Sequence, residues 1–139
     1  MKIVKRKIYY NGLTAIVTFI IGAVGYYLIE ILYRGHSHWT MALCGGLSLL
    51  AICHTDKKLK NKSIVLRALI GAIIITVIEF VCGCIVNLAF GMSVWDYSNT
   101  PFNLLGQICL GYSFYWFILS AFICSIISLM RKVKRSPHT

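Results

Sequence analysis

The sequence predicts an all-α protein that crosses a membrane several times. Of its 139 residues, 58% are hydrophobic and 13% are charged, whereas about a quarter of the residues in a soluble domain are charged. Residues 13–29 and 114–130 contain no charged side chains and offer almost nothing of the polar face that a surface helix needs. The net charge of +10 comes from basic blocks beside such apolar stretches, which indicates a membrane surface as the partner and not nucleic acid.

Four apolar stretches predict four transmembrane helices in a single domain, residues 1–139. The first, third and fourth are long enough to cross a hydrocarbon core of about 30 Å. The second has fifteen residues with two glycines in the middle, so it is either a short span or a re-entrant segment. The fourth is longer than a bilayer requires, so it tilts or emerges at one end. The predicted helices cover residues 13–33, 39–53, 64–90 and 104–130.

The distribution of basic residues predicts the orientation. The two tails and the loop after the second helix, with Arg67 just beyond it, hold thirteen of the fourteen Lys and Arg residues, and Arg34 is the remaining one. By the positive-inside rule, both termini lie in the cytoplasm and the other two loops lie outside. This prediction requires that the second segment crosses the membrane fully.

A faint internal repeat relates the first and third helices. The pattern Ile21-Gly22-Ala23 followed by Ile29-Glu30 recurs forty-nine residues later as Ile70-Gly71-Ala72 followed by Ile78-Glu79. Each copy opens a hairpin with a tryptophan near its outer turn, so two parallel hairpin repeats are one interpretation. Chance similarity between two apolar helices is the other.

Glu30 and Glu79 are the acidic residues within the predicted spans, and both fall in the outer half of the membrane. A carboxylate at this depth is costly unless it is paired, hydrated or protonated, which makes each a candidate functional group. Glu30 has a structural alternative, an ion pair with Arg34 at i,i+4. Glu79 has no basic residue within a turn, so a functional or interhelical role is favoured.

The densest polar and aromatic stretch is the junction between the third and fourth helices, residues 95–103. Pro101 is expected to fix the start of the fourth helix, and Asn103 and Gln107 are expected to share one face of it. With the glutamates in the same outer half, these side chains predict an outward-facing polar pocket for a small cationic or polar solute. The predicted lining consists of Glu30, Glu79, Asn87, Asp96, Asn103 and Gln107.

His36 and His38 on the first outer turn are the candidates for a metal site, since two such imidazoles can share an ion in an extended segment. Two solvated or hydrogen-bonded loop histidines are the favoured alternative. Trp39 and Trp95 fit an interfacial aromatic belt. The sequence contains no nucleotide-binding glycine loop, GxSxG elbow or HExxH motif, so no cofactor is predicted and any ATP hydrolysis must come from another chain.

A set of residues between the first helix and Trp116 indicates a family. The set consists of Glu30, residues 34–39, Glu79-Phe80, Trp95-Asp96-Tyr97-Ser98, Pro101, Asn103, Gly106 and Ile108-Cys109-Leu110. In these residues the chain resembles the bacterial ABC-transporter type IV permeases (CmpB-like). The resemblance implies a small polytopic protein of the bacterial inner membrane with a permease role, and a separate ATPase or membrane partner.

The first hypothesis is therefore a transport protein, a homodimer surrounded by lipid. A membrane enzyme acting on a lipid-linked or cell-envelope substrate is an alternative, with Asp96, a loop histidine or the glutamates as acid and base. A non-catalytic subunit of a membrane complex, whose polar groups hold helices together, is a third hypothesis.

Overall fold

The computed structural model describes the backbone of residues 2–135 and the side chains of residues 11–135. The N-terminal basic block, on which part of the predicted orientation depends, has its side chains outside the described residues. This block consists of Lys2, Lys5, Arg6 and Lys7.

The described chain is mainly helical, and its contacts divide it into two compact units, Met1–Ala51 and Ile52–Thr139. The boundary falls inside the second helix. In chain order the elements are α1 (Lys2–Arg34), α2 (Trp39–Lys58), α3 (Ile64–Gly83), a π-helical turn (Cys84–Ala89), β1 (Asn103–Leu104), β2 (Ile108–Cys109) and α4 (Leu110–Arg135).

Among the described residues, three helical segments are long and apolar enough to cross a membrane: Asn11–Arg34, Ile64–Ala89 and Leu110–Arg135. They correspond to the first, third and fourth predicted spans and support the prediction of a membrane protein. α2 is 20 residues long and ends in the charged residues Lys57 and Lys58. A fourth span and the two-repeat arrangement remain predictions.

In the first unit, α1 and α2 approach each other at glycines. A Cβ on Gly22 would lie 2.6 Å from the carbonyl oxygen of Gly45, and a Cβ on Gly46 would lie 2.6 Å from Cε2 of Phe19. Residues without a side chain let two helix backbones come this close. α1 ends at Arg34. The next residue, Gly35, has φ of +78°, and its N–H donates to the carbonyl oxygen of Ile31 at 2.8 Å, a left-handed helix end that favours glycine.

In the second unit, α3 and α4 pack along a seam of small residues. Buried residues recur every three or four positions on α3 and every four positions on α4. At the closest approach, a Cβ on Gly71 would lie 2.7 Å from both Cβ and Oγ of Ser120. Large apolar side chains such as Phe114 and Phe122 are exposed instead. Small residues inside and large apolar residues outside are typical of helices packed in a membrane.

The third span closes with a change of helix type. After α3, the N–H of Phe90 donates to the carbonyl oxygen of Ile85 at 3.0 Å, five residues back, as in a π-helix. The predicted helix over 64–90 is thus α-helical to Gly83 and π-helical from Cys84 to Ala89. Such single turns widen a helix locally and are frequent at functional sites.

The fourth helix differs from its predicted bounds of 104–130, because it begins at Leu110 and ends at Arg135. β1 and β2 pair as a short antiparallel hairpin in front of it. Leu105 and Gly106 in the hairpin turn have φ of +53° and +71°, which an α-helix excludes. We call the whole segment between the π-helical turn and α4, residues 90–109, the connector.

Gly71→Ala is expected to destabilise the protein by about 1–3 kcal/mol, because the added methyl group overlaps with Ser120 and forces the two helices apart. The measurement is the free energy of unfolding in detergent micelles. Gly111→Ala is the control, because a Cβ there would meet no atom within 4 Å. Equal stability of the two variants would contradict a tight contact between α3 and α4.

Candidate functional site

The carboxylate of Glu79 lies inside the second unit, where three elements meet. Its side chain comes from α3 and is 6% exposed. The hydroxyl of Tyr97, in the connector, donates to Oε1 at 2.9 Å, and the indole Nε1 of Trp116, on α4, donates to Oε2 at 3.0 Å. The two oxygens of Glu79 thus tie α3 to α4 and to the connector, as the interhelical alternative for this residue expects.

Aromatic rings surround the donors of Glu79. The rings of Tyr97 and Tyr112 stack with centroids 4.7 Å apart, and Tyr112 also approaches Tyr115 at 5.9 Å and Trp116 at 6.3 Å. Stacked rings hold their polar ends in narrow orientations. We call Glu79, Tyr97, Tyr112 and Trp116 the Glu79 cluster. One turn away along α3, Thr76 and Ser113 share a hydrogen bond of 3.0 Å between their hydroxyls.

Asn87 and Gln107, both predicted to line the pocket, are bonded to each other. Asn87 Nδ2 donates to Gln107 Oε1 at 2.8 Å, and Asn87 Oδ1 accepts the N–H of Val94 at 2.7 Å. The backbone oxygen of Gln107 accepts the indole N–H of Trp95 at 3.0 Å. Gly83 leaves the space for this amide pair, since a Cβ there would lie 2.6 Å from Gln107 Oε1. The pair fastens the connector to the end of the third span.

Two sequence-based expectations for this region were wrong. Gln107 and Asn103 do not share a face of α4, because both precede it and belong to the hairpin. Pro101 likewise lies nine residues before α4 and does not fix its start. Trp95 is buried and bonded to Gln107, whereas Trp39 is exposed; the interfacial belt remains a prediction.

Asp96 and Asn103 lie at the exposed surface of the connector and bond within it. Asp96 Oδ1 accepts hydrogen bonds from the hydroxyl and from the backbone N–H of Ser98. Both bonds lower the pKa of Asp96 below its ordinary value, and the bond from the hydroxyl has the larger effect. Asn103 Nδ2 donates to the carbonyl oxygen of Thr100 at 2.9 Å, and its Oδ1 accepts the N–H of Gly106 at 3.1 Å. Both side chains therefore shape the connector.

In the first unit, the predicted ion pair of Glu30 and Arg34 is present, with Oε2 and Nε 2.6 Å apart. Nearby, His36 Nδ1 lies 3.2 Å from the carbonyl oxygen of Arg34, and His38 Nδ1 lies 2.8 Å from Oγ1 of Thr40. Among the residues with described side chains, no group of three or more metal-ligating side chains is arranged to hold an ion. Both histidines are thus hydrogen-bonded loop residues, which was the favoured alternative to a metal site.

A second polar centre, which the sequence-based reasoning missed, lies at the other end of the second unit. Asp56 is 2% exposed; its Oδ1 accepts Arg67 Nε at 2.6 Å, and its Oδ2 accepts Arg131 Nη2. Arg67 Nη2 donates further to the carbonyl oxygen of Cys124 at 3.2 Å and to Ser128 Oγ at 2.8 Å. We call Asp56, Arg67, Ser128 and Arg131 the Asp56 cluster, and it ties the ends of α2, α3 and α4 together.

Electrostatics keeps Asp56 ionised. Burial acts to raise the pKa of its carboxyl, but the hydrogen bonds and charges of Arg67 and Arg131 outweigh burial and hold the pKa below the ordinary value of 3.8. In the sequence, Asp56 is an acidic residue within a basic stretch. Its structural role becomes visible only when the arginine side chains that pair with it are known.

Comparison with known proteins gives a family for almost the whole chain. The family described as "Putative ABC-transporter type IV" matches residues 5–138, which confirms the resemblance seen in the sequence. No curated protein and no solved structure matches the chain.

Asp56→Asn is expected to destabilise the protein by about 3 kcal/mol at neutral pH, because it breaks a buried ion pair. The value is at the lower end of the range for such pairs because one of the two partners, Arg131, is partly exposed. The stabilisation from Asp56 is fully present above pH 3.8 and is lost as pH falls through the lower pKa of the folded state. The gap between wild type and variant in the free energy of unfolding should therefore shrink below about pH 4. A gap that persists unchanged in acid would contradict this assignment.

Asn87→Leu is expected to loosen the connector, because it removes the hydrogen bonds that Asn87 makes with Gln107 Oε1 and with the N–H of Val94. Loss of the partner of a buried polar group such as Gln107 Oε1 costs about 1–3 kcal/mol. Hydrogen exchange of the connector amides, Val94 first, should become faster. Asn99→Ala is the matched control, since Asn99 is exposed in the same segment; identical exchange in both variants would refute the fastening role of Asn87.

Proposed function

Because the chain belongs to the family described as "Putative ABC-transporter type IV", we propose that it is a small membrane transport protein, a permease driven by an ATPase on another chain. The sequence carries no nucleotide-binding glycine loop, so the energy has to be supplied from outside it. The proposed solute is a small cation or a polar molecule with a cationic group.

The observation that supports this proposal is the carboxylate of Glu79, buried within an apolar helix and oriented by Tyr97 and Trp116. A carboxylate inside a span is costly, so it is retained where it serves recognition or proton transfer. Hydroxyl and indole donors orient the group without cancelling its charge. The faces of the surrounding tyrosines attract organic cations as well, so the Glu79 cluster suits an ammonium or guanidinium group.

We propose that the solute takes the place of the Tyr97 hydroxyl at Oε1 of Glu79. Tyr97 is half-buried and belongs to the connector, so it is the partner of Glu79 nearest to the surface. Trp116 is buried on α4 and would continue to hold Oε2. Asp96 and Asn103 would lie along the approach, while Asn87 and Gln107 would hold the connector in position.

The proposed topology places this site on the outer side of the bacterial inner membrane. It rests on α2 crossing the membrane despite its marginal length, which puts both tails and the basic loop on the cytoplasmic side. Glu30 is proposed as a further polar group of the first unit, where Arg34 already pairs with it. A homodimer is proposed as the assembled form.

A non-catalytic membrane subunit is the second candidate, favoured by the hydrogen bonds that already engage Asn87, Gln107 and Trp95. In that case Glu79 would hold α4 and the connector and would bind no solute. A membrane enzyme remains the alternative if the purified protein turns over lipid-linked or cell-envelope substrates.

Glu79→Gln is expected to weaken cation binding at least about tenfold, because loss of the charge removes about 1.4 kcal/mol or more of attraction. Binding is measured directly, since ATP-driven uptake needs the partner chain. The probes are choline, guanidinium, lysine and putrescine, added to purified protein in lipid nanodiscs. The readouts are calorimetric titration and the shift of the unfolding midpoint.

Two further variants separate binding from folding. Thr76→Val removes the bond to Ser113 one turn from Glu79 and is expected to keep wild-type affinity. Glu79→Asp keeps the charge and should recover part of the binding. If no probe binds the wild type, or if Glu79→Gln binds as well as Thr76→Val, the Glu79 cluster is not a cation site and the subunit hypothesis gains.

A further inference from the structure

The connector displays large apolar side chains at its surface. Phe102 is 81% exposed and Leu105 is 63% exposed. Phe90, Met92 and Leu104 are exposed in the same segment. A surface that is in contact with water seldom gathers so many large apolar groups unless something covers them.

The backbone at two of these residues is strained. Phe102 has φ of +55° and Leu105 has φ of +53°. Glycine or asparagine takes this left-handed conformation at little cost, whereas a bulky residue there is a genuine outlier. Turn stability alone would favour asparagine or glycine at both positions, so the large apolar side chains have another use.

The place of the connector in the chain indicates what covers these side chains. It joins two segments that are long and apolar enough to span, Ile64–Ala89 and Leu110–Arg135, so both of its ends lie at the same face of the membrane. The exposed apolar surface continues into the next span at Leu110 and Phe114. The exposed polar residues Asp96, Ser98 and Asn99 form a stretch of their own, which separates Phe90 and Met92 from the exposed apolar residues of the hairpin.

We propose that the turn carrying Phe102 and Leu105 inserts into the bilayer, at the boundary between headgroups and acyl chains. The occupant of this apolar surface is lipid. Amphipathic segments at this boundary bury their apolar side by about 5–10 Å. The inference is independent of the proposed transport function, because it concerns the connector and not the solute.

Insertion would also position the Glu79 cluster. The backbone N–H of Tyr97 donates to the carbonyl oxygen of Gly106 at 2.7 Å, and Gly106 directly follows Leu105. The inserted turn is thereby attached to the residue whose hydroxyl reaches Glu79. The bilayer would act as a support that keeps this hydroxyl over the carboxylate.

Phe102→Trp reports the depth of the turn in nanodiscs whose phosphatidylcholine carries bromine atoms near the top of the acyl chains. We expect the fluorescence added by the new indole to be quenched by the brominated lipid at a depth of about 5–10 Å and little affected by aqueous iodide. Asn99→Trp is the matched control in the polar stretch of the connector, and it should show the opposite pattern. Wild-type protein supplies the background of Trp39, Trp95 and Trp116.

Leu105→Trp provides a second reporter at the other strained position, so the test survives if one variant does not fold. Quenching of both reporters by iodide to the level of the Asn99→Trp control would place the turn in water and overturn the proposal. Protection of both reporters from iodide and from brominated lipid would mean that protein covers the turn, and it would overturn the proposal as well.

Discussion

The close approach of α3 and α4 at Gly71 and Ser120 determines where the polar groups of the second unit meet. On one side of this contact, the backbones are near enough for Thr76 to reach Ser113 and for Glu79 to reach the indole of Trp116. On the other side, Arg67 reaches the carbonyl oxygen of Cys124. The two polar centres on α3 lie about 18 Å apart along the helix axis, so one tight contact between them keeps both in register.

The four acidic residues of the chain have three kinds of partner. Glu30 has the cation one turn away, Asp56 has two guanidinium groups, and Asp96 has the hydroxyl and backbone of Ser98. The ion pairs of Glu30 and Asp56 largely neutralise these two carboxylates, which suits a structural role. Glu79 is oriented by a phenol and an indole, which donate hydrogen bonds without carrying a positive charge. Under the proposed function, Asp56 is a structural tie and Glu79 is the group that recognises the solute.

The features predicted from the sequence are those with a local signal. Long apolar stretches located three segments able to span, and i,i+4 spacing identified the pair of Glu30 and Arg34. The missed features depend on residues far apart in the chain: Asp56 pairs with Arg131 across 75 positions, which no spacing rule detects. The connector was misread because strands of two residues have no periodicity, and because Leu105 carries no sign that it will adopt positive φ.

Under the proposed function, solute binding and docking of the connector oppose each other. If a cation replaces the Tyr97 hydroxyl at Glu79, the solute must overcome everything that keeps Tyr97 in place: the amide pair of Asn87 and Gln107, the bond to Gly106 and the insertion of Phe102. The two effects are linked and equal in size. A contact that stabilises the docked connector lowers the affinity for the solute by some factor, and the bound solute weakens docking of the connector by the same factor. A variant that weakens the amide pair but spares Glu79 would then bind cations more tightly than wild type, whereas a merely structural cluster would bind none in either state.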